Sequence, residues 1–245
     1  MKVTICTIIR NQEHNLNDWY NQIKSIVNSN NNVEFYLSIY ENNSTDKTKE
    51  MLNGYDFNFF KEFNVVSEDI ENLPFFKGGY EPYGEESKLR VKLLSECRNK
   101  CMSVDFLKDS DYVVFIEPDI KYDPTIFNDI LNFIHINDYD IVTAISRLDG
   151  RYHYDWWGTR KNDTDTNTNL THLINSNEKV DLYATFNCFA LYKTKPFTEY
   201  GCKFVYMSDI LGTHDCDTVL VCQEFRKKGF NKICLLPNKI VEHNY

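Results

Sequence analysis

The chain has 245 residues, a length that suits one α/β domain with a sizeable hydrophobic core. A hydrophobic content of 42% and an aromatic content of 15% exclude a disordered chain. The formal net charge of -9 is the opposite of the basic excess of a general nucleic-acid binder, so no nucleic-acid partner is expected. An anionic ligand would need a metal ion or a few well-placed arginines and lysines.

Predicted strands and helices alternate over the first 150 residues. The apolar runs predict strands at 3–9, 35–40, 65–66, 111–116, 141–145, 186–192, 233–235 and 240–241. Helical spacing predicts helices at 15–27, after 44–46, and at 86–107, 127–134 and 218–228. A Gly- and Pro-rich loop is predicted at 75–84. The alternation predicts a single α/β domain over 1–245, a doubly wound, Rossmann-like, mixed and mostly parallel sheet flanked by helices.

Eight cysteines are dispersed through apolar surroundings, and no pair has CxxC spacing. We expect free, buried thiols in a reducing compartment, and a zinc site is a poor alternative. The apolar run at the N-terminus is too short for a membrane span or a signal peptide. These features favour a cytoplasmic enzyme with no integral membrane segment. The many asparagines fit an AT-rich genome such as that of a giant virus, in which case the cytoplasm is the host's.

The stretch Glu117-Pro118-Asp119 follows directly after a predicted buried strand. Pro118 favours an extended conformation, in which carboxylates one residue apart point in similar directions. Hard divalent cations such as Mg²⁺ and Mn²⁺ accept one or two protein carboxylates and complete their shells with water and phosphate oxygens. A solvated acidic turn is the alternative interpretation of this stretch.

Other candidate site residues follow the first two predicted strands or lie on the predicted helix at 86–107. Glu41 ends the second strand, where acidic residues of nucleotide-binding sheets often hold a ribose or base. Arg90 and Arg98 lie eight residues apart, close to one helix face, and guanidinium groups suit diphosphate oxygens. A solvated basic face is as good an explanation for either one. Neither GxGxxG nor a Walker P-loop follows the first strand, which argues against a dinucleotide dehydrogenase or a P-loop kinase.

Taken in order, these features resemble the GT-A fold nucleotide-sugar glycosyltransferases, with Glu117-Pro118-Asp119 in the place of the DxD motif of that class. A closer resemblance is to the mannosyltransferases of fungal capsule synthesis and their relatives in large DNA viruses. The matching segments are ENNSTDKT at 41–48, Arg90 with Arg98-Asn99, YDWWGTR at 154–160, Asn187 to Phe197, and Asp215-Cys216 with Gly229, Pro237 and Tyr245. Many relatives have Asn-Asp at the metal motif, so Asp119 is the firmer expected metal ligand.

The resemblance implies a metal-dependent glycosyltransferase that moves a sugar from a UDP- or GDP-sugar to a hydroxyl of a glycan or glycoprotein. The residues implied to bind the nucleotide and diphosphate are Thr7, Arg10, Glu41, Arg90 and Arg98. Those implied to bind Mn²⁺ or Mg²⁺ are Glu117, Asp119 and His243, with His214 as the alternative histidine. Residues 1–120 would form the nucleotide-binding half and 121–245 the acceptor and sugar half.

The sugar site is implied to lie around Asp155, Trp156 and Trp157. Asp215 would be the general base of an inverting enzyme. In a retaining enzyme no such base is needed, and Asp155 or Asp215 could instead steady positive charge on the sugar ring.

Two other classes of protein stay open at this point. One is a non-catalytic protein of the same fold that binds a nucleotide sugar or a carbohydrate. The other is a nucleotidyltransferase, which would normally carry a Gly-rich loop after the first strand; this chain has Arg10-Asn11-Gln12-Glu13 there. The donor base, the sugar, the acceptor and the stereochemistry do not follow from the sequence.

Overall fold

The computed structural model describes residues 1–71 and 83–243, and within them a ten-stranded sheet carries helices on both faces. The strands are β1 (Lys2–Ile9), β2 (Glu34–Asn42), β3 (Glu62–Glu68), β4 (Tyr112–Ile116), β5 (Ile120–Tyr122), β6 (Ile141–Leu148), β7 (Tyr152–His153), β8 (Val180–Asp181), β9 (Phe189–Lys193) and β10 (Ile233–His243). The helices are α1 (Leu16–Asn28), α2 (Thr48–Gly54), α3 (Glu85–Cys101), α4 (Thr125–Asn137), α5 (Lys195–Thr198) and α6 (Asp217–Lys227).

The strand order is β3-β2-β1-β4-β9-β6-β10-β5, with β7 paired to β6 and β8 to β10. Strands β1 to β4 run parallel, as do β6 and β10, whereas β9 is antiparallel to both of its neighbours. The sheet is therefore mixed, with its longest pairings parallel, which confirms the predicted α/β class. The carboxyl ends of β1, β2 and β4 meet at one edge, as expected for ligand-binding sheets of this kind.

Two hydrophobic cores cover the two faces of the sheet. Helices α1 and α4 bury Trp19, Ile23 and Phe127 against one face. Helices α3 and α6 bury Val91 and Phe225 against the other. The apolar spacing along each helix thus faces the sheet, and the strands between the two layers are buried on both sides. All eight cysteines are free and buried, as the sequence predicts.

Several predicted boundaries were wrong. The helix predicted at 86–107 ends at Cys101, and a separate 3-10 turn covers Asp105–Asp109. The strand predicted at 186–192 begins only at Phe189, because Asn187 and Cys188 both have positive φ. The two short strands predicted near the C-terminus are one strand, β10, with a register irregularity between Leu235 and Ile240.

The third strand is longer than predicted, since β3 covers seven residues rather than the pair 65–66. Most of the loop predicted at 75–84 lies outside the described residues. No helix among the described residues is long and apolar enough to cross a membrane.

Candidate active site

Two adjoining cavities lie at the sheet edge where β1 and β4 end. Their volumes are about 350 and 220 Å³, and they share four wall residues: Arg90, Leu94, Glu117 and Asp119. The smaller cavity continues past Ile8, Ile9 and Arg10 at the end of β1. The larger one continues toward the 154–157 turn and the start of α6. A ligand lying across the shared wall would therefore contact both halves of the chain.

Most of the residues predicted for the site line these cavities. The larger cavity is lined by Arg98, Asp155, Trp156, Trp157 and His243, besides the shared wall. Trp156 is 42% exposed, whereas Trp157 is 8% exposed and packs in the core behind it. Only Trp156 thus offers an open indole surface to a ligand.

Strand pairing brings Asp119 and His243 together although they are far apart in the sequence. His243 pairs with Ile120 across β10 and β5, so it lies beside the residue that follows Asp119. The two side chains are 3.3 Å apart from His243 Nε2 to Asp119 Oδ2, and the His243 ring stacks on Tyr154. The alternative histidine, His214, is 2% exposed and lines neither cavity.

The Asp119–His243 pair fits a divalent cation with few protein ligands. Two adjacent ligands at ~2.1 Å from an octahedral ion lie roughly 3 Å from each other, close to the observed separation. Within 1–71 and 83–243, no group of three or more His, Cys, Asp or Glu side chains could hold a metal ion. Phosphate oxygens and water would therefore have to complete the coordination shell.

An ion-paired triad forms the floor of the larger cavity. Arg98 donates from Nη1 to Asp217 Oδ2 at 2.5 Å and from Nη2 to Glu117 Oε1 at 2.9 Å. Its guanidinium also stacks on the ring of Phe186. Burial raises the pKa of Glu117 to about 6 and raises that of Asp217, although Arg98 opposes both shifts. Arg98, one of the arginines predicted to bind the nucleotide and diphosphate, is thus already engaged by two carboxylates.

Asp217 is a site residue that the sequence did not single out. It begins α6, is 1% exposed, and lines the larger cavity. The predicted base, Asp215, lines neither cavity; its Oδ1 accepts hydrogen bonds from Arg160 Nη2 at 3.0 Å and from the Cys216 N–H at 2.8 Å. The signal for Asp217 in the sequence was a second acidic residue directly before the predicted helix at 218–228.

Thr7 and Glu41 do not line either cavity. The Thr7 hydroxyl donates to the carbonyl of Ile116 at 3.0 Å and so ties β1 to β4. Glu41 is fully buried; its carboxylate accepts from the Ser44 N–H at 2.8 Å and from the Ser67 hydroxyl. Both side chains support the strand ends from within the fold, away from the cavity surface.

Asp155 is held by backbone N–H groups on one side of the larger cavity. Its Oδ2 accepts from the Asn187 N–H at 2.8 Å and its Oδ1 from the Gly158 N–H at 3.2 Å. Burial nevertheless raises the pKa of Asp155 to about 6. The backbone carbonyl of Cys188, the next residue after Asn187, accepts a hydrogen bond from the Glu117 N–H at 3.0 Å. The two left-handed residues thus connect the Asp155 carboxylate to the Glu117–Asp119 turn.

The fold is similar to that of solved GT-A glycosyltransferase structures. The crystal structure of S. aureus TarS 1-349 has a TM-score of 0.57 and 14% identity, over 100% of this chain and 60% of that one. The complex of TarS 1-349 with UDP-GlcNAc has a TM-score of 0.54 and 13% identity, over 100% of this chain and 59% of that one. Mannosyltransferase PcManGT from Pyrobaculum calidifontis, in complex with GDP-Man and Mn²⁺, has a TM-score of 0.58 and 11% identity, over 98% of this chain and 56% of that one. This chain thus spans about three fifths of the TarS 1-349 chain.

The family itself is shown by a family model described as Cryptococcal mannosyltransferase 1, which matches residues 2–224. The chain belongs to this family, which confirms the resemblance to the fungal capsule mannosyltransferases. No curated protein sequence matches the chain.

Proposed function

We propose that the protein is a metal-dependent glycosyltransferase that moves a sugar from a nucleoside-diphosphate sugar to a hydroxyl of a glycan or glycoprotein. The observation that carries this proposal is the shared wall of the two cavities, on which Arg90, Glu117 and Asp119 lie. The nucleoside would occupy the smaller cavity and the sugar the larger one. The diphosphate would then cross the wall beside a cation, a guanidinium and the two acidic residues.

On the nucleotide side, Arg10 is the side chain best placed to meet the donor. It lines the smaller cavity, and its buried Nε makes no hydrogen bond to any residue that the structure describes. Arg90 lines both cavities and is exposed, so it can reach the diphosphate that joins them. Arg98, ion-paired with Glu117 and Asp217, would contribute a positive charge to the floor of the larger cavity beneath the sugar.

On the metal side, Asp119 and His243 would hold Mn²⁺ or Mg²⁺, with Glu117 as the neighbouring carboxylate. A bound ion would act as a Lewis acid that stabilises the diphosphate leaving group. The protein would supply few of its ligands, so metal and donor should bind together rather than separately.

On the sugar side, Asp155 and Asp217 are the two carboxylates that line the larger cavity beyond the shared wall. In an inverting transfer, the acceptor oxygen bonds to the anomeric carbon, Asp217 takes the hydroxyl proton, and the bond to the diphosphate breaks with its electron pair. Burial makes Asp217 a stronger base than an exposed aspartate, since its pKa is raised. In a retaining transfer the proton passes to the leaving diphosphate, and Asp155 steadies the positive ring.

The test is thermal unfolding with UDP, GDP, CDP and their sugars, each with Mn²⁺ or with EDTA. A ligand at ~100 times its dissociation constant stabilises the folded state by about 2.7 kcal/mol. We expect one nucleotide to shift the unfolding temperature only when metal is present. Asp119→Asn should remove that shift, and the matched control Asp105→Asn, at a fully exposed carboxylate outside both cavities, should keep it.

Each outcome decides a different part of the proposal. A shift that is unchanged in EDTA would contradict the metal assignment. The absence of a shift with every nucleotide would contradict the donor site. A metal-dependent shift without turnover of any nucleotide sugar would favour the non-catalytic binding protein.

A further inference from the structure

A third cavity, of about 380 Å³, lies between α3, α6 and the segment 203–209. It shares no wall residue with the two cavities of the active site. Its outer wall is fixed to α3 by Asn99, whose Nδ2 donates to the Phe204 carbonyl at 2.8 Å and whose Oδ1 accepts from the Phe204 N–H at 3.0 Å. The cavity is therefore built into the fold, with a wall that α3 holds in place.

The side chain of Gln223 in this cavity has no partner in the described part of the chain. Gln223 is 7% exposed and lines the cavity, yet its amide makes no hydrogen bond to a described residue. Without a protein partner, this amide is free to bond to a ligand or to ordered water in the cavity. An amide offers two donors and one acceptor, which suits a ligand rich in hydroxyl groups.

The charges around the cavity favour a neutral ligand. Lys203 and Lys227 line the cavity together with Glu96, Asp209 and Glu224. Lys227 Nζ lies 2.7 Å from Asp209 Oδ2 and 2.7 Å from Glu224 Oε1. Glu96, also on the wall, lies 4.0 Å from Lys92. With Lys92 included, three lysines lie beside three carboxylates, so the cavity has no net charge and an uncharged ligand leaves its ion pairs intact.

Apolar surfaces in the cavity suit the C–H face of a sugar ring. Phe204 is buried in the wall, Tyr206 is half-buried, and Met207 is 41% exposed. Aromatic walls with a few placed polar groups are the usual composition of a small-molecule site, and the volume lies in the range of such sites.

We propose that this third cavity binds a neutral sugar residue. Its walls lie on the same two helices as those of the active-site cavities: Asn99 follows Arg98 on α3, and Gln223 lies six residues after Asp217 on α6. The rise of ~1.5 Å per residue separates Asp217 and Gln223 by about 9 Å along the helix, a span that a short oligosaccharide covers. The ligand is a sugar of the acceptor glycan, distant from the transferred residue. The acceptor assignment rests on the proposed function; the sugar site does not.

Saturation-transfer NMR tests the sugar site on the full chain. The probes are the methyl glycosides of mannose, glucose, galactose, N-acetylglucosamine and rhamnose. UDP, GDP and Mg²⁺ are added to fill the donor site. We expect at least one glycoside to receive saturation from the unmodified protein and from Asp119→Asn. In Gln223→Leu the dissociation constant should rise at least fivefold, because the leucine fills the same space without the amide.

Gln223→Leu removes no hydrogen bond within the described residues, so its fold should be kept, as thermal unfolding can verify. Tyr206→Ala provides a second variant in the same wall. No saturation of any probe, or equal binding by wild type and both variants, would show that the cavity holds only water.

The acceptor assignment has a separate readout. Gln223→Leu should raise KM for an oligosaccharide acceptor and leave the slow hydrolysis of the donor by water unchanged. A variant that binds probes poorly but keeps its acceptor KM would make the cavity a sugar site unrelated to transfer. Loss of nucleotide binding in the thermal test would contradict the proposed function and leave the NMR result standing.

Discussion

Asp215 and Asp217 lie two residues apart, yet their carboxylates have different surroundings. Asp215 is paired with Arg160, which is 1% exposed and has no other carboxylate partner among the described residues. Asp217 shares Arg98 with Glu117 and lines the larger cavity. The first carboxylate therefore neutralises a buried cation, and the second can meet a ligand.

The two corresponding asparagine variants should separate stability from activity. Asp215→Asn leaves Arg160 buried without a counter-charge, so the free energy of unfolding should fall by about 3–5 kcal/mol. Asp217→Asn leaves Arg98 paired with Glu117, so its loss of stability should be smaller, while the transfer rate falls at least ~100-fold if this group takes the proton. Urea unfolding and single-turnover transfer measure the two effects. A stable but inactive Asp215→Asn protein would reverse the assignment.

The sequence could place acidic residues near the site but could not say which way each one points. Glu117, Asp119, Asp155 and His243 were all predicted, and all line the larger cavity. Glu41 lies near the carboxyl end of β2, one residue before the last, and its side chain is fully buried. The orientation of each carboxylate depends on its partners, and two of these, Ser67 for Glu41 and Arg160 for Asp215, come from distant segments of the chain.

At the scale of elements, the turn that carries Asp155 and Trp156 depends on Gly158. A Cβ at this position would lie 2.7 Å from the carboxyl carbon of Asp155, closer than side chains tolerate. The Asp155 carboxylate occupies that space because it accepts from both Gly158 and Asn187. The glycine is required by the close approach of this carboxylate.

Gly158→Ala should therefore displace Asp155 and lower both stability and transfer. We expect a loss of about 1–3 kcal/mol in unfolding free energy, as for other overpacked sites, and at least a tenfold lower transfer rate. Gly54→Ala is the matched control, since a Cβ there would meet nothing within 4 Å. Thermal unfolding and initial rates check both. Wild-type activity in Gly158→Ala would remove Asp155 from the proposed reaction.

Elements were predicted best where periodicity alone decides them. Helices α1, α4 and α6 lie within a few residues of the predicted bounds, because their apolar spacing faces a core. The start of β9 was missed, since the apolar run from 186 hides two residues with left-handed backbone. Nothing in the spacing indicates that Asn187 must turn there to donate its N–H to Asp155.

For the whole molecule, the alternation of strands and helices was enough to predict the α/β class and the site edge. It could not predict that β9 would insert antiparallel between β4 and β6, because strand order depends on packing between distant segments. That insertion places Asn187 beneath the site. Asn187 Oδ1 accepts from Ser146 and from His153, and its Nδ2 donates to Thr159 and Thr185.

His153 makes this buried network sensitive to acid. The imidazole is 3% exposed; its Nδ1 accepts from the Leu170 N–H at 3.2 Å, so its Nε2–H donates to Asn187 Oδ1 at 2.9 Å. Burial lowers the pKa of His153 to about 4, below its ordinary value of about 6.5. The unfolded chain therefore binds a proton here between pH 6.5 and 4 that the folded protein does not, and stability is lost as pH falls through this window.

His153→Gln should abolish this contribution while keeping a neutral side chain. Glu117 and Asp155 have raised pKa values, so below pH 6 the folded protein binds protons there that the unfolded chain does not. These two groups therefore add stability as pH falls, and the pH dependence of the wild type alone would be partly cancelled. The informative quantity is the difference in unfolding free energy between wild type and the variant. That difference should fall by up to ~1.4 kcal/mol per pH unit, or about 3 kcal/mol in total, from pH 6.5 to 4 in urea titrations. Parallel pH curves for the two proteins would mean that His153 is not kept neutral by its burial against Asn187.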